Sequence, residues 1–265
     1  MDRDQQYQLA LAWNEGEKSI SLADFDLSGR DLAQLNLAGA QLALADLRAA
    51  KLAQANLRKA DLAGARLVGA DLGQAALSQA NLSGADLRLA NLLEAMLIGA
   101  NLRGADLRAA NLVRANLKAV DFAGANLAGA VLAEAKLAGA RLTGAKNLSG
   151  LNLKQANLAR ADLSAANLAG ALLAAADLTR ANLSQVNLAG AFLGGARLIR
   201  ANLSKANLAG AMLSGTKLGG VDLSGASLRG SILAGANLFE AKLDGADLSG
   251  ADLSGAVLPD GSRHP

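Results

Sequence analysis

The chain has no cysteine, a single histidine, two prolines and one tryptophan in 265 residues, and aromatic residues make up 2% of it. Without cysteine, neither a disulfide nor a thiolate metal site can form. The one histidine, His264, stands next to the C-terminus, so no Ser-His-Asp set can be assembled in the body of the chain. So few large side chains cannot fill a wide core, which must therefore be narrow and uniform. No apolar run reaches membrane-spanning length, because a polar residue or Gly recurs every few positions. The opening Met-Asp-Arg-Asp-Gln-Gln lacks the basic region and apolar stretch of a secretory signal. Charge of one sign is also lacking: 26 basic and 23 acidic residues are scattered, giving a net charge of +3 and a solvated surface of mixed sign. A soluble cytoplasmic protein without membrane contact is the expectation.

What is present is a beat of five. Ala105 to Leu117 reads Ala-Asp-Leu-Arg-Ala, Ala-Asn-Leu-Val-Arg, Ala-Asn-Leu. Taking Leu as the centre, centres fall every fifth residue from Leu22 to Leu142. After one inserted residue near Lys146-Asn147, they run from Leu148 to Leu258. Of 48 centres all are Leu except Phe122. Two residues before the centre the chain is nearly always Ala; the exceptions gather at Ile20, Phe25, Arg30 and Leu35. One residue before it stands mostly Asp or Asn, and two after it Gly is the commonest choice.

A period of five suits neither a helix nor a long strand. Taken piecewise, Ala-x-Leu is a three-residue alternation with Ala and Leu on one side and Asp or Asn on the other. The next two residues turn the chain, which Gly eases by tolerating positive φ. Repeated in one sense, the unit coils, with the Ala and Leu columns inward.

The outer positions show how many units close a coil. Leu172, Phe192, Met212 and Ile232 replace the usual Asp or Asn at intervals of 20. Arg160, Arg180 and Arg200 repeat at the same interval, as do Glu94, Arg114 and Glu134, and Asn147, Asn167, Asn187 and Asn207. Four units therefore make a coil and the whole makes about twelve coils, roughly 55–60 Å at a strand spacing of ~4.8 Å. Residues 3–15 carry no such beat; they hold helix formers, with Gln6, Leu9, Ala10 and Trp13 at helical spacing and Gly16 as a stop. A stack of coils exposes unpaired edges at both ends, and a short amphipathic helix is suited to cover one. The division expected is a cap over 1–19, a repeat body over 20–258 and a turn and tail over 259–265.

This pattern resembles the pentapeptide-repeat proteins, written Ala-(Asp/Asn)-Leu-x-x, over about nine tenths of the chain. The helix leading to Gly16-Glu17 and the ending Leu258-Pro259-Asp260-Gly261-Ser262 resemble the caps of many cyanobacterial members. The resemblance implies an all-β solenoid, a right-handed quadrilateral parallel β-helix.

No function of chemical type is written in the beat. Asp and Asn recur with the period and read as backbone and ladder hydrogen bonding. The many Gly-x-x-x-x-Gly spacings follow the period of five, and no phosphate-binding Gly-Lys-Ser/Thr loop accompanies them. No enzyme, metal or cofactor is expected. Three surface features stand out. The apolar column Leu172, Phe192, Met212, Ile232, with Ile199 and Phe239 in the next unit along, suits a homodimer or a protein partner. The Arg160, Arg180, Arg200 column suits an anion or an acidic partner, unless Asp162, Asn182 and Asn202 relieve it. The Glu94, Arg114, Glu134 set reads as surface ion pairing.

The leading expectation is a non-catalytic scaffold that presents patterned faces to an unidentified protein or to itself. The resemblance also implies an alternative, since some members mimic DNA, bind DNA gyrase and protect it from inhibitors. Those are strongly acidic, unlike this chain. Direct nucleic-acid binding through Arg48, Arg88 and Arg108 lacks aromatic stacking platforms and is crossed by carboxylates.

Overall fold

The computed structural model describes residues 1–15 and 21–265. Gly16, the Gly16-Glu17 step and Ile20, read above as helix stop, cap and first inward position, lie outside the described residues. The chain divides into two compact units, Met1–Val131 and Leu132–Pro265. In both, the residue before most centres forms a parallel bridge with its counterpart one coil further on, as Asn36 does with Asn56 and Leu172 with Phe192. The interval is 20, so four five-residue units close each coil.

One unit of the repeat shows why the beat has its letters. In Ala176-Asp177-Leu178-Thr179-Arg180 every backbone N–H has a partner. Ala176 donates to the Leu173 carbonyl across the turn at 3.0 Å, and Asp177 donates back to Ala156 of the preceding coil at 2.9 Å. Leu178 and Arg180 donate forward to Arg197 and Ile199 of the next coil at 2.7 and 3.0 Å. That leaves the N–H of Thr179, which donates to Oδ1 of Asp177 at 3.0 Å. Asp or Asn is favoured before the centre because a short side chain carrying oxygen there accepts the one amide that the stack cannot satisfy.

The same oxygen also joins coils. Asn81 Oδ1 accepts its own turn's Ser83 N–H at 3.3 Å and the Asn101 side-chain amide at 3.1 Å. Asn81 in turn donates to Asp61. A carboxylate has no N–H to donate, which suits it to the first rung: Asp61, Asp71 and Asp162 each begin a ladder continued by asparagines.

Inward, the Leu centres and the Ala two before them are buried along most of both units, and Phe122 is among the largest fully buried side chains. Each buried Leu contributes about 1.5–3 kcal/mol of transfer free energy, most of it offset by chain entropy. At the corners, the residue two after the centre has positive φ, the pattern of a type II turn. Gly fills only about half of these corners; Gln, Ala, Arg, Lys, Glu and Leu fill most of the rest. Non-Gly residues in this region cost about 1–2 kcal/mol each, and the inter-coil hydrogen bonds on either side hold them there.

The inserted residue is Asn147. Lys146 takes the pairing position and Asn147, with φ 58°, is the extra one. Bridges across the insertion are accordingly one residue longer, as from Lys136 to Asn157. This corrects the column drawn from Asn147 to Asn167: in the backbone register Asn147 is a bulge, a role for which Asn's tolerance of left-handed φ suits it.

The helix α1, Arg3–Glu15, packs Ala10 and Trp13 inward. The coil beneath it has no preceding coil, so its backward-pointing amides need substitutes. Gln6 Oε1 accepts from Asp26 N–H and Asn14 Oδ1 from Asn36 N–H, both at 2.6 Å. Elsewhere a main-chain carbonyl does this, as Phe25 does for Asp46. Gln6, placed by its spacing on an apolar face, thus works through its amide. Arg3 adds bonds to the Ser28 carbonyl and to Asp26, and the Arg30 guanidinium lies 5.1 Å from the centre of the Tyr7 ring. At the other end the tail folds back, with Val257 and Arg263 in an antiparallel bridge and His264 N–H donating to Ala256. Leu243, Leu248 and Leu253 stay only half-buried there. No helix among the described residues is long and apolar enough to cross a membrane.

Side-chain hydrogen bonds depress several of the turn carboxyls. Asp26 is lowered chiefly by the Ser28 hydroxyl, and Asp46, Asp86 and Asp106 by the guanidinium two residues on. Asp247 falls from 3.8 to about 2, through Ser249 first and Arg229 after it.

Three outcomes are expected. Deleting residues 1–18 exposes the first coil's edge and should produce association in light scattering; an unchanged, monodisperse protein with the same melting temperature would remove the capping role. Gly210 has φ 65° and open space where a side chain would begin, with nothing within 4 Å, so it tests the backbone alone. Gly210→Val should lower stability by about 1–3 kcal/mol in chemical denaturation. The lowered carboxyls bind protons more weakly folded than unfolded. Their stabilisation is therefore complete above 3.8 and lost as pH falls toward about 2. Acid unfolding followed by circular dichroism should show that loss, with Arg229→Gln raising the Asp247 midpoint in an NMR titration. Stability that rises as the pH falls across the same window would contradict the assignment.

Candidate functional site

In the unit Leu132–Pro265, the apolar column occupies the pairing position of consecutive coils, with bridges from Leu172 to Phe192, Met212 and Ile232 in turn. Phe192, Met212 and Ile232 are 41%, 43% and 38% exposed. The residues after the centres on this side are Ala174, Gly194, Ser214 and Ala234, and the corner beyond them is Ala175, Gly195, Gly215 and Gly235. No long side chain rises from those positions to shield the column, so this side is flat and apolar.

The column has a second property that the repeat's hydrogen bonding makes visible. A residue without a side-chain oxygen cannot accept the amide two places on. Among the described residues, the N–H groups of Ala174, Gly194, Ser214 and Ala234 have no protein acceptor. The flat strip therefore carries a row of free donors one coil apart. Sequence reasoning missed this, although its signal, the loss of Asp or Asn from the beat, was in plain view.

The next side around the corner carries the arginines. Arg160, Arg180 and Arg200 stand at consecutive corners with φ of 59°, 58° and 55°. Together with Arg197, Asp177, Thr179 and Ile199 they line a depression of about 460 Å³. Among the described residues no carboxylate lies within ion-pairing distance of any of the three. The residues that sequence spacing offered as relief are occupied. Asp162 accepts from Ser164 and Asn182, Asn182 from Ser184, and Asn202 from Ser204. A second depression continues from Ile199 and Arg200 past Lys217 to Phe239 and Glu240, which places Ile199 and Phe239 in one trough.

The arginines of the unit Met1–Val131 behave differently. Arg48, Arg88 and Arg108 each fold back onto the Asp two residues earlier, at 2.5, 2.7 and 2.7 Å. The partner carboxylate's hydrogen bond raises each guanidinium pKa further. These columns are neutral pairs, which leaves little basic surface there for a nucleic-acid backbone. Glu94 and Arg114 approach to 3.8 Å at the surface, a contact worth little in water. It continues a corner ladder from Gln34 through Gln54 and Gln74 to Glu94 that spacing alone could have found. Among the described residues no three His, Cys, Asp or Glu side chains gather in a group able to hold a metal ion.

The family comparison agrees with the five-residue repeat. The family model for pentapeptide repeats matches in 8 copies, over residues 40–78, 70–108, 110–146, 147–185, 181–220 and 222–258. A search of curated protein sequences found no match. Among solved structures, the chain is 35% identical to HetL, a pentapeptide-repeat protein involved in heterocyst differentiation regulation in the cyanobacterium Nostoc sp. strain PCC 7120. That match covers 97% of this chain and 98% of HetL, with a TM-score of 0.30. Rfr23, a pentapeptide-repeat protein of the cyanobacterium Cyanothece 51142, is also 35% identical, over 38% of this chain and 62% of its own, with a TM-score of 0.26. Full-length QnrB1, a plasmid-mediated fluoroquinolone resistance protein, is 17% identical over 84% of this chain and 88% of its own, with a TM-score of 0.28. With the five-residue beat, the four-sided coils and the family model all in agreement over most of its length, the chain belongs to the pentapeptide-repeat family, whose members fold as right-handed quadrilateral β-helices.

Proposed function

We propose that the protein is a non-catalytic scaffold that acts in the cytoplasm by presenting patterned outer columns to a protein partner or to a second copy of itself. The observation that carries this reading is the unshielded column Leu172, Phe192, Met212, Ile232. Exposing large apolar side chains on a flat surface is unfavourable for an isolated soluble protein, and here it coincides with a row of unpartnered amides. The family supports a binding role, and HetL is described by its part in regulation rather than by a reaction.

The alternative is a DNA mimic that binds DNA gyrase. A mimic must offer a field like that of a phosphate backbone. The net charge here is +3, and Asp46, Asp86 and Asp106 are neutralised by their own arginines. These observations favour the scaffold.

Light scattering tests the reading. The parent should self-associate or capture a partner through the column, and Phe192→Asp combined with Met212→Asp should abolish that association while leaving the melting temperature within a few degrees. A parent and variant of identical mass, with identical partner capture, would remove the column from the account.

A further inference from the structure

The strip from Leu172 to Ile232 spans three coil steps, about 15 Å at strand spacing. Alone it is far smaller than the ~800 Å² per partner that stable interfaces bury. An occupant of useful affinity must continue past the Ala and Gly corner onto the neighbouring side, where the arginine trough lies. We propose that this trough is the docking site for an extended acidic segment of a partner protein, with carboxylates against Arg160, Arg180 and Arg200 and an apolar residue between Ile199 and Phe239. The inference rests on the scaffold reading and names the chemistry of the partner.

Four features point to that chemistry. The first is charge without compensation. Arg160, Arg180 and Arg200 rise one coil apart and have no counter-ion among the described residues, whereas Arg48, Arg88 and Arg108 each hold their own Asp. Stacked like charges repel, and guanidinium groups are suited to bidentate capture of carboxylates. The second is an excess of donors. Arg197 and Lys217 replace Asp or Asn before their centres, so the N–H groups of Ile199 and Gly219 lose their turn acceptor and have no protein partner among the described residues. The Thr179 hydroxyl in the same depression is buried and also unpartnered. Groups that lack acceptors call for a ligand rich in acceptors.

The third feature is length. The trough runs from the corner of Arg160 to that of Glu240, four coil steps, about 19 Å at ~4.8 Å each. That is about six residues of extended chain at ~3.3 Å each. The fourth is polarity along the trough. One end holds Arg160, Arg180 and Arg197, the middle Arg200 and Lys217, and the far end Glu240 beside the half-exposed ring of Phe239. Asp177 is the one carboxylate at the basic end, and its Oδ1 accepts the Thr179 amide. A segment acidic in its first half and apolar, then neutral or basic, in its second fits this gradient in one orientation.

Fluorescence anisotropy with the full chain tests the proposal. The probe is a fluorescein-labelled peptide of about eight residues, long enough to fill the trough, with Glu residues followed by Leu and Lys. Saturable binding at physiological salt that weakens steeply as salt rises is expected. Combined Arg160→Gln, Arg180→Gln and Arg200→Gln should weaken binding at least ~10-fold and flatten the salt dependence. Combined Arg48→Gln, Arg88→Gln and Arg108→Gln should leave it unchanged. Glu240→Gln should tighten binding of an all-Glu peptide and lessen the preference between the two. If the triple variant fails to fold, the salt titration and the Glu240→Gln comparison on the otherwise intact chain still decide.

Equal affinity in the two triple variants would overturn the proposal, as would no saturable binding of either peptide. Displacement of the peptide by duplex DNA at lower concentration than by unlabelled peptide would assign the trough to nucleic acid and overturn it too. The Phe192→Asp, Met212→Asp protein keeps the arginine corner, so its mass reports the scaffold reading separately, and each reading can fail without the other.

Discussion

The structure depends on one hydrogen bond repeated in most five-residue units, from the amide after the Leu centre to the side-chain oxygen of the Asp or Asn before it. The other four amides are satisfied by geometry: one across the turn, one to the coil behind and two to the coil ahead, as Ala176 to Arg180 show. The fifth, that of Thr179, has no carbonyl in reach and takes Asp177 Oδ1 instead. Buried or half-buried amides left without acceptors are costly. The Asp or Asn letter is therefore as much part of the backbone as of the surface. Once it is in place, Leu and Ala need only be the right size for a four-sided interior, and the same small core can be repeated with little change along the chain.

Because the interior is so nearly constant, differences between coils live on the outside, and the two units use that outside differently. In Met1–Val131 several columns are internally satisfied, although Lys51, Arg66, Ala76 and Met96 also stand where the capping letter belongs and Met96 is 38% exposed. Asparagines bond to asparagines, Gln34 leads a ladder to Glu94, and Arg48, Arg88 and Arg108 close on their own carboxylates. In Leu132–Pro265 one side replaces the capping letter with Leu, Phe, Met and Ile. The next replaces it with Arg197 and Lys217, beside three corner arginines that have no counter-ion among the described residues. Each such replacement sacrifices a turn hydrogen bond and leaves a donor open. Apolar area, unpaired charge and open donors on adjacent sides are the properties of a surface that is completed by something else.

Much of this was legible in the sequence because a period of five repeated so often leaves few choices. The interval between Leu172, Phe192, Met212 and Ile232 is enough to set the coil, and the bounds of the helix, Arg3–Glu15, agree with the stretch lacking the beat. What was not legible depended on backbone direction. That Gln6 and Asn14 would act as substitute carbonyls required knowing which amides of the first coil point backward. The identity of the extra residue required the register, since Lys146 and Asn147 both fit the outer position by type. The preference for Gly at corners overstated its necessity, because inter-coil bonds hold Gln155 or Arg160 at positive φ equally well. The open amides beside the apolar column were hidden for the same reason: a missing acceptor is visible only once every donor has been assigned.

Amide hydrogen exchange resolved by residue tests this hydrogen-bond accounting most directly. Within Leu132–Pro265, the N–H groups of Leu163, Leu183 and Leu203, each donating to the next coil at 2.7–2.8 Å, should be among the last to exchange. The capped amides of Thr179 and Ser184 should be intermediate, and those of Gly194, Ser214, Ile199 and Gly219 should exchange fast although they sit between protected neighbours. A five-residue alternation of protection, broken wherever the capping Asp or Asn is missing, those four positions included, is the predicted result. Protection of Gly194 and Ser214 equal to that of Thr179 and Ser184 in the isolated protein would contradict the account.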